Sequence, residues 1–354
     1  MTRVLLCGAF GQENPGDDAL LDAFVHALDD HDVVVATDAA GVGRAMRDAD
    51  AVVVGGGTIF KTLHPSTGRH PLGLLLRVRA LQAAATARGI PFALAGVGVG
   101  ELSRRSAVRV ARSIARRGDL LVLRDEESAA LLTEAGVQGP HRVGADPAWT
   151  LGLPLPGAAA RREGVVVALS HLADRDQDHL AGQVVALVEP LVALGAPVRL
   201  QPWQGNHGLD HRLADAVQAR LPGSAPVDVV PRPRTMADAV STFAGSSAVV
   251  ALRYHAIVAA GAAGCPSLAL AHEPKLAGLA RRLDQASVPV HASTAVLGRA
   301  AACLLDAAAP SPAAIAREQR AAHRTLELVR LVVSGGRQEL RSVDRLELTG
   351  GRPW

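Results

Sequence analysis

Lysine is nearly absent from this chain of 354 residues: of 37 basic side chains only Lys61 and Lys275 are lysine, and the other 35 are arginine. A coding bias toward arginine accounts for the ratio, and under such a bias the two surviving lysines mark positions to inspect. Aromatic residues are scarce as well, with five Phe, three Trp and one Tyr. Carbohydrate platforms and single-stranded nucleic-acid grooves stack their ligands on rings, so this composition argues against both. The three cysteines, Cys7, Cys265 and Cys303, show no Cys-x-x-Cys spacing. That disfavours a disulfide framework and a zinc ribbon and fits a reducing compartment. A formal charge of only +3 implies neither a field that wraps nucleic acid nor an acidic solvating tail, so no nucleic-acid partner is expected.

Long apolar runs are also missing. Val4–Cys7 stops at Gly8, too early for a signal-peptide core. The uncharged stretch Ala256–Ala271 contains Gly261, Gly264 and Pro266 and falls short of the ~20 residues of a membrane span. The expectation is a soluble, cytoplasmic protein. What is present, 49% hydrophobic and 20% charged residues, suffices for a buried core and about two domains of ~100–200 residues.

Ten short apolar runs alternate with longer helical patterns: Val4–Cys7, Val33–Ala36, Ala51–Val54, Phe92–Val97, Leu120–Leu123, Val165–Leu169, Val198–Gln201, Val227–Val230, Val249–Leu252 and Ser267–Ala271. Apolarity that is continuous along a strand indicates cover on both faces, hence an α/β chain with parallel sheets. The proline-containing stretch Leu151–Glu163 breaks the pattern. Two doubly wound, Rossmann-like domains follow, 1–152 and 164–305, facing a cleft, with a helix over 312–335 packing back across them and a peripheral tail after Gly336. Open parallel sheets bind ligands beyond the carboxyl ends of their strands, so the loops that follow strands are the places to search.

The first such loop contains Gly8, Gly11, Asn14, Pro15, Gly16 and Asp17. Asn14 suits a helix N-cap and Pro15 the first helical position, with Leu20, Ala23, Phe24, Ala27 and Leu28 on one face of the helix that follows. A capped amphipathic helix does not require Gly16 in its first turn, where glycine costs ~1 kcal/mol against alanine; close approach of a ligand to the backbone would. Gly55-Gly56-Gly57 and Gly96-Val97-Gly98-Val99-Gly100 also follow strands. Neither matches a nucleotide signature, but both permit backbone N–H groups to face an anion. The basic segment Lys61–His70 is either a mobile surface loop or a lid that binds an acceptor.

The densest constellation comes later. Arg253 and His255 emerge where the strand Val249–Leu252 ends, and His272, Glu273 and Lys275 where Ser267–Ala271 ends. Such strand ends hold anionic substrates: arginine as a bidentate fork, lysine as a point charge, histidine as a proton carrier near neutral pH. Weaker signals are His207 and His211, spaced for a metal pair around Asp210 but lacking a third ligand, and the stripe Arg104, Arg105, Arg109, Arg112 and Arg116. The stripe reads as a solvated face or as peripheral contact with an anionic membrane. Arg124 and Asp125 end a strand; Asp125 would cap a helix, with Arg124 pointing into the cleft.

In combination the chain resembles the polysaccharide pyruvyl transferase family. The matches are Gly8, Gly11, Asn14, Gly16 and Asp17; the triple glycine; Arg124-Asp125 with Ser128; Asp146-Pro147-Ala148; and above all Arg253-x-His255 followed by Gly264-x-Pro266 and Pro274-Lys275, in that order as far as about Leu283. Tyr254 stands where the family pattern has Leu, and His272-Glu273 where Tyr-Asp is common. The resemblance implies a glycosyltransferase-B-like fold and transfer of pyruvate from phosphoenolpyruvate, a co-substrate, onto two hydroxyls of a sugar or lipid-linked oligosaccharide acceptor, with no other cofactor and no metal. It implies His255 and Asp17 as catalytic groups; Arg253, Lys275 and Arg124 on the donor; and Asn14, Gly16, Gly56, Gly57 and Lys61 on the acceptor side. Two alternatives stay open: a glycosyltransferase using a nucleotide sugar, with Glu273 on the ribose, and a non-enzymatic two-lobed protein that binds an anion.

Overall fold

A computed structural model describes residues 1–152, 162–172, 176–205 and 208–335. Most of the proline-containing break, His207 of the suggested metal pair and the tail from Gly336 lie outside the described residues.

The chain divides into two compact units. The elements of the first are β1 (Arg3–Cys7), α1 (Pro15–Ala27), β2 (Asp32–Ala36), α2 (Ala39–Asp48), β3 (Ala51–Gly55), β4 (Thr58–Phe60), α3 (Gly73–Arg88), β5 (Phe92–Val99), α4 (Arg105–Arg117), β6 (Leu120–Leu123), α5 (Glu126–Glu134) and β7 (Arg142–Val143). They form a parallel sheet in the order β2-β1-β3-β5-β6-β7, with β4 paired to β5. The second comprises β8 (Val165–Leu169), α6 (Gln177–Ala193), β9 (Val198–Pro202), α7 (Leu209–Gln218), β10 (Val227–Val229), α8 (Met236–Ala244), β11 (Ala248–Ala251), α9 (Tyr254–Ala262), β12 (Ser267–Ala271), α10 (Pro274–Arg282), β13 (Ala286–Pro289), α11 (Thr294–Leu304) and α12 (Pro312–Val333). Its parallel sheet runs β10-β9-β8-β11-β12-β13.

The central strands β3, β5, β6, β8 and β11 are buried along their whole length, as their unbroken Val, Leu and Ala runs require of a sheet covered on both faces. In the second unit Val165, Val167 and Val250 pack against Leu180, Val184 and Leu187 of α6. The order reverses between β8 and β11, since β9 and β10 extend to one side and β12 and β13 to the other. A crevice opens beyond the strand ends at such a switch point, and Arg253 and His255 follow β11 directly.

Two segments depart from the division at 1–152 and 164–305. Residues 11–19 group with the second unit and residues 320 onward with the first, so α1 and α12 each belong to both. The opening loop therefore sits beside His255 within one unit. Side-chain contacts described below hold it there.

Burial decides the chemistry of the cysteines. Cys7 in β1 and Cys265 ahead of β12 are buried, and Cys303 on α11 is exposed. Loss of hydration pushes both buried thiols up to about 12, so neither forms the reactive thiolate at pH 8. One thiol is expected to react with Ellman's reagent in the native protein and all three after denaturation; fast labelling of a second native thiol would contradict this burial.

Candidate functional site

The site is built around the first turn of α1. Asn14 caps it: its Oδ1 accepts from Gly16 N at 3.2 Å, and its Nδ2 donates to Asp17 Oδ2 at 2.8 Å. The same Oδ1 accepts from the indole Nε1 of Trp203 at 3.1 Å, and Trp203 is fully buried at the end of β9. Glu13 adopts the left-handed conformation (φ 52°), uncommon for a residue with a side chain. Its carbonyl accepts from Gly205 N at 3.1 Å.

Gly16 is buried against the imidazole of His255, and a Cβ there would overlap the ring around Nδ1. The glycine inside the first turn is thus required by a close approach, and the partner is the imidazole that the sequence pattern singled out. His255 is 7% exposed and occupies the second position of α9, whose residues Tyr254 to Gly261 are all buried. Tyr254 meets the imidazole edge-on at 5.7 Å.

Arg253 precedes the helix with its backbone extended. Its Nη2 reaches Gln204 Oε1 at 3.1 Å and Asp210 Oδ2 at 3.5 Å. Its Nε is buried and has no hydrogen-bond partner among the described residues, while the side chain remains 25% exposed. The fork is therefore anchored at one end with donor capacity left over. Asp210 does the anchoring. It is 2% exposed and accepts from His171 N at 2.6 Å, Trp203 N at 3.2 Å and Gln204 N at 2.8 Å, tying the loops after β8 and β9 to the arginine. Sequence reasoning placed Asp210 between two histidines of a metal pair. The signal that identifies it, three backbone donors converging on one carboxylate, exists only in three dimensions. Among the described residues no group of three His, Cys, Asp or Glu side chains converges as a metal site would require.

Lys275 stands at the second position of α10, after the neighbouring strand β12, with its ammonium paired to the Glu273 carboxylate. A donor anion would share this cation with Glu273.

The remaining candidates lie in the first unit and play other parts. Arg124 is 2% exposed. Its Nε donates to Asp125 Oδ2 at 3.1 Å and its Nη2 to Thr58 Oγ1 at 3.3 Å, and Asp146 Oδ2 lies 3.7 Å from Nη1. Asp125 also caps α5 by accepting from Ser128 N at 2.7 Å, and Ser128 Oγ accepts from Val99 N at 3.0 Å. Gly98 leaves room for the guanidinium and Gly96 for the Pro147 ring. Three pieces of the sequence pattern are thus one buried ionic knot holding β5, β6 and the turn at Asp146, with Arg124 at its centre. Gly55 and Gly56 likewise accommodate Phe24 and Leu20 of α1; only Gly57, left-handed at φ 70°, faces open space. The loop from Lys61 is tied down by Thr62 N to Glu101 O at 2.8 Å and Leu63 N to Pro71 O at 2.9 Å. In the arginine stripe of α4, Arg112 and Arg116 donate to the carbonyls of Gly136 and Gln138.

The family model described as polysaccharide pyruvyl transferase matches residues 14–274. No protein of curated function matches the chain significantly. Among solved structures, UDP-GlcNAc 2-epimerase of Methanocaldococcus jannaschii, in complex with UDP-GlcNAc and UDP, aligns at a TM-score of 0.64 and 11% identity, covering 94% of this chain and all of that one. The enzyme from Rickettsia bellii aligns at 0.63 and 12% identity over 99% of both chains. Anabaena HepE in complex with UDP-glucose aligns at 0.57 and 14%, covering 97% of this chain and all of that one. At these identities the likeness is one of fold: two parallel-sheet α/β domains of the glycosyltransferase-B-like kind. Among the described residues no helix is long and apolar enough to cross a membrane.

Proposed function

The chain belongs to the polysaccharide pyruvyl transferase family, and on that premise we propose that it moves pyruvate from phosphoenolpyruvate onto two hydroxyls of one sugar in a cell-surface polysaccharide or its precursor, closing a cyclic ketal and releasing phosphate. The observation that supports this reading best is the pairing of a buried imidazole, His255, with a partly free arginine fork, Arg253, at the start of one helix beyond the switch point of the sheet.

Phosphoenolpyruvate carries a carboxylate and a phosphate. Arg253, the N-terminal amides of α9 and, through competition with Glu273, Lys275 are the cationic and donor groups that would hold them. His255 protonates the C3 methylene, leaving an oxocarbenium-like C2. One sugar hydroxyl adds to C2 and its proton returns to the imidazole. The C2–O bond to phosphate then breaks with its electron pair, and the second hydroxyl adds as its proton passes to the departing phosphate. Asp17, beside Gly16 and hydrogen-bonded to Asn14, would accept a hydrogen bond from the attacking hydroxyl and so orient and activate it, while Asn14 and Gly16 shape the acceptor side. The fixed turn supplies orientation, which on its own can carry several kcal/mol of a barrier.

A nucleotide-sugar glycosyltransferase is the second reading, favoured by the UDP-sugars in the solved relatives of this fold. Incubation with phosphoenolpyruvate and a panel of sugar acceptors decides between them. Phosphate release matched by a mass gain on the acceptor is the expected result; turnover with nucleotide sugars alone would assign the second reading.

A further inference from the structure

Beyond the ends of β9 and β10, two adjoining hollows of about 530 and 400 Å³ share Val230, Pro231, Arg232 and Arg234. Neither arginine belongs to the site assigned above. The sequence here is Val-Pro-Arg-Pro-Arg. Prolines on either side of Arg232 restrict the backbone, and Arg232 and Arg234 line both hollows. Two carboxylates stand near the arginines: Glu13 Oε2 lies 3.6 Å from Arg232 Nη2, and Asp238, which lines the second hollow, has its Oδ2 engaged by the backbone N–H groups of Arg234 and Thr235 at 3.1 and 3.0 Å. Arg199, which also lines the second hollow, is engaged with Glu163 O at 2.7 Å and Ser246 Oγ at 3.3 Å.

The independent observation is Gln201. It lines the second hollow and is 3% exposed. Its Nε2 donates to Pro231 O at 3.3 Å, but its Oε1 is buried and has no partner among the described residues. Buried amide oxygens are normally satisfied, so an acceptor left open beside two arginines asks for a ligand with a hydrogen-bond donor next to an anion.

We propose that this hollow is a subsite for a diphosphate that links the acceptor sugar to its carrier, with Arg232 and Arg234 on the phosphoryl groups and Gln201 Oε1 accepting from an O–H or N–H of the flanking moiety. The proposal rests on the reading of the chain as a transferase acting on glycan acceptors. The subsite adjoins the reaction site through Glu13, which faces Arg232 and lies three residues before Gly16.

Titration calorimetry on the full chain tests it, with inorganic pyrophosphate as the shared probe and UDP and geranyl diphosphate as the two carrier chemistries. Pyrophosphate is expected to bind in the presence of saturating phosphoenolpyruvate. The double variant Arg232→Gln/Arg234→Gln is expected to weaken it at least tenfold while changing phosphoenolpyruvate affinity less than twofold. Pyrophosphate binding untouched by the double variant, or displaced competitively by phosphoenolpyruvate, would overturn the subsite. Tighter binding of UDP than of pyrophosphate, removed by Gln201→Leu, assigns a nucleoside carrier; the same pattern with geranyl diphosphate assigns a lipid carrier. Failure of phosphoenolpyruvate to bind the wild-type chain would count against the transfer reaction and leave the diphosphate measurement intact.

Discussion

Replacing His255 by alanine is expected to lower pyruvyl transfer by about 10²–10⁴-fold, the usual contribution of one positioned acid or base, with little change in phosphoenolpyruvate affinity. The division of labour follows from what each group carries. In the proposed reaction the donor's charges would be met by Arg253, whose fork is pinned to Gln204 and Asp210, and by the start of α9, none of which depends on the imidazole. The proton delivered to C3 would come from the ring. Arg253→Ala should show the opposite pattern, weakening donor binding more than it slows the bound complex. Turnover and donor affinity measured separately on both variants check this, and near-normal turnover of His255→Ala would reject the proton-transfer role.

Why Arg253 and His255 were visible in the sequence while their supports were not has a physical explanation. Both sit within a few residues of the end of an apolar strand, so local pattern places them on the carboxyl edge of the sheet. All ten apolar runs became strands. β4, β7 and β13 escaped because they are short and lack a continuous apolar run: β7 is Arg142–Val143, and three of the four residues of β13 are exposed. Supports are chosen by distant parts of the chain. Asp210 acts through loops that follow two different strands, and Trp203 acts on Asn14 from 189 residues away. Glycines mislead for the same reason. Gly56 and Gly98 resemble phosphate-loop residues, but the groups that exclude a Cβ there are Leu20 and Arg124, and no spacing rule links those partners.

Gly16 offers the sharpest contrast between local and tertiary expectation. By helix propensity alone, Gly16→Ala in the first turn of α1 would stabilise the protein by up to ~1 kcal/mol. The structure predicts the reverse sign, because the new methyl group would overlap the His255 ring, which is itself buried and cannot swing clear without disturbing Tyr254 or the Asn14 cap. Overpacking of this kind costs about 1–3 kcal/mol, and displacement of the imidazole is expected to remove most of the activity along with it. A double-mutant cycle separates the steric cause from any other. In a His255→Ala background the obstruction is gone, so Gly16→Ala should become neutral or stabilising, and the coupling between the two positions should exceed the few tenths of a kcal/mol seen for independent sites. Urea unfolding of the four proteins measures it. Additive effects would mean that the turn and the imidazole do not touch as described, and would withdraw the account of why a glycine occupies a position where helices prefer alanine.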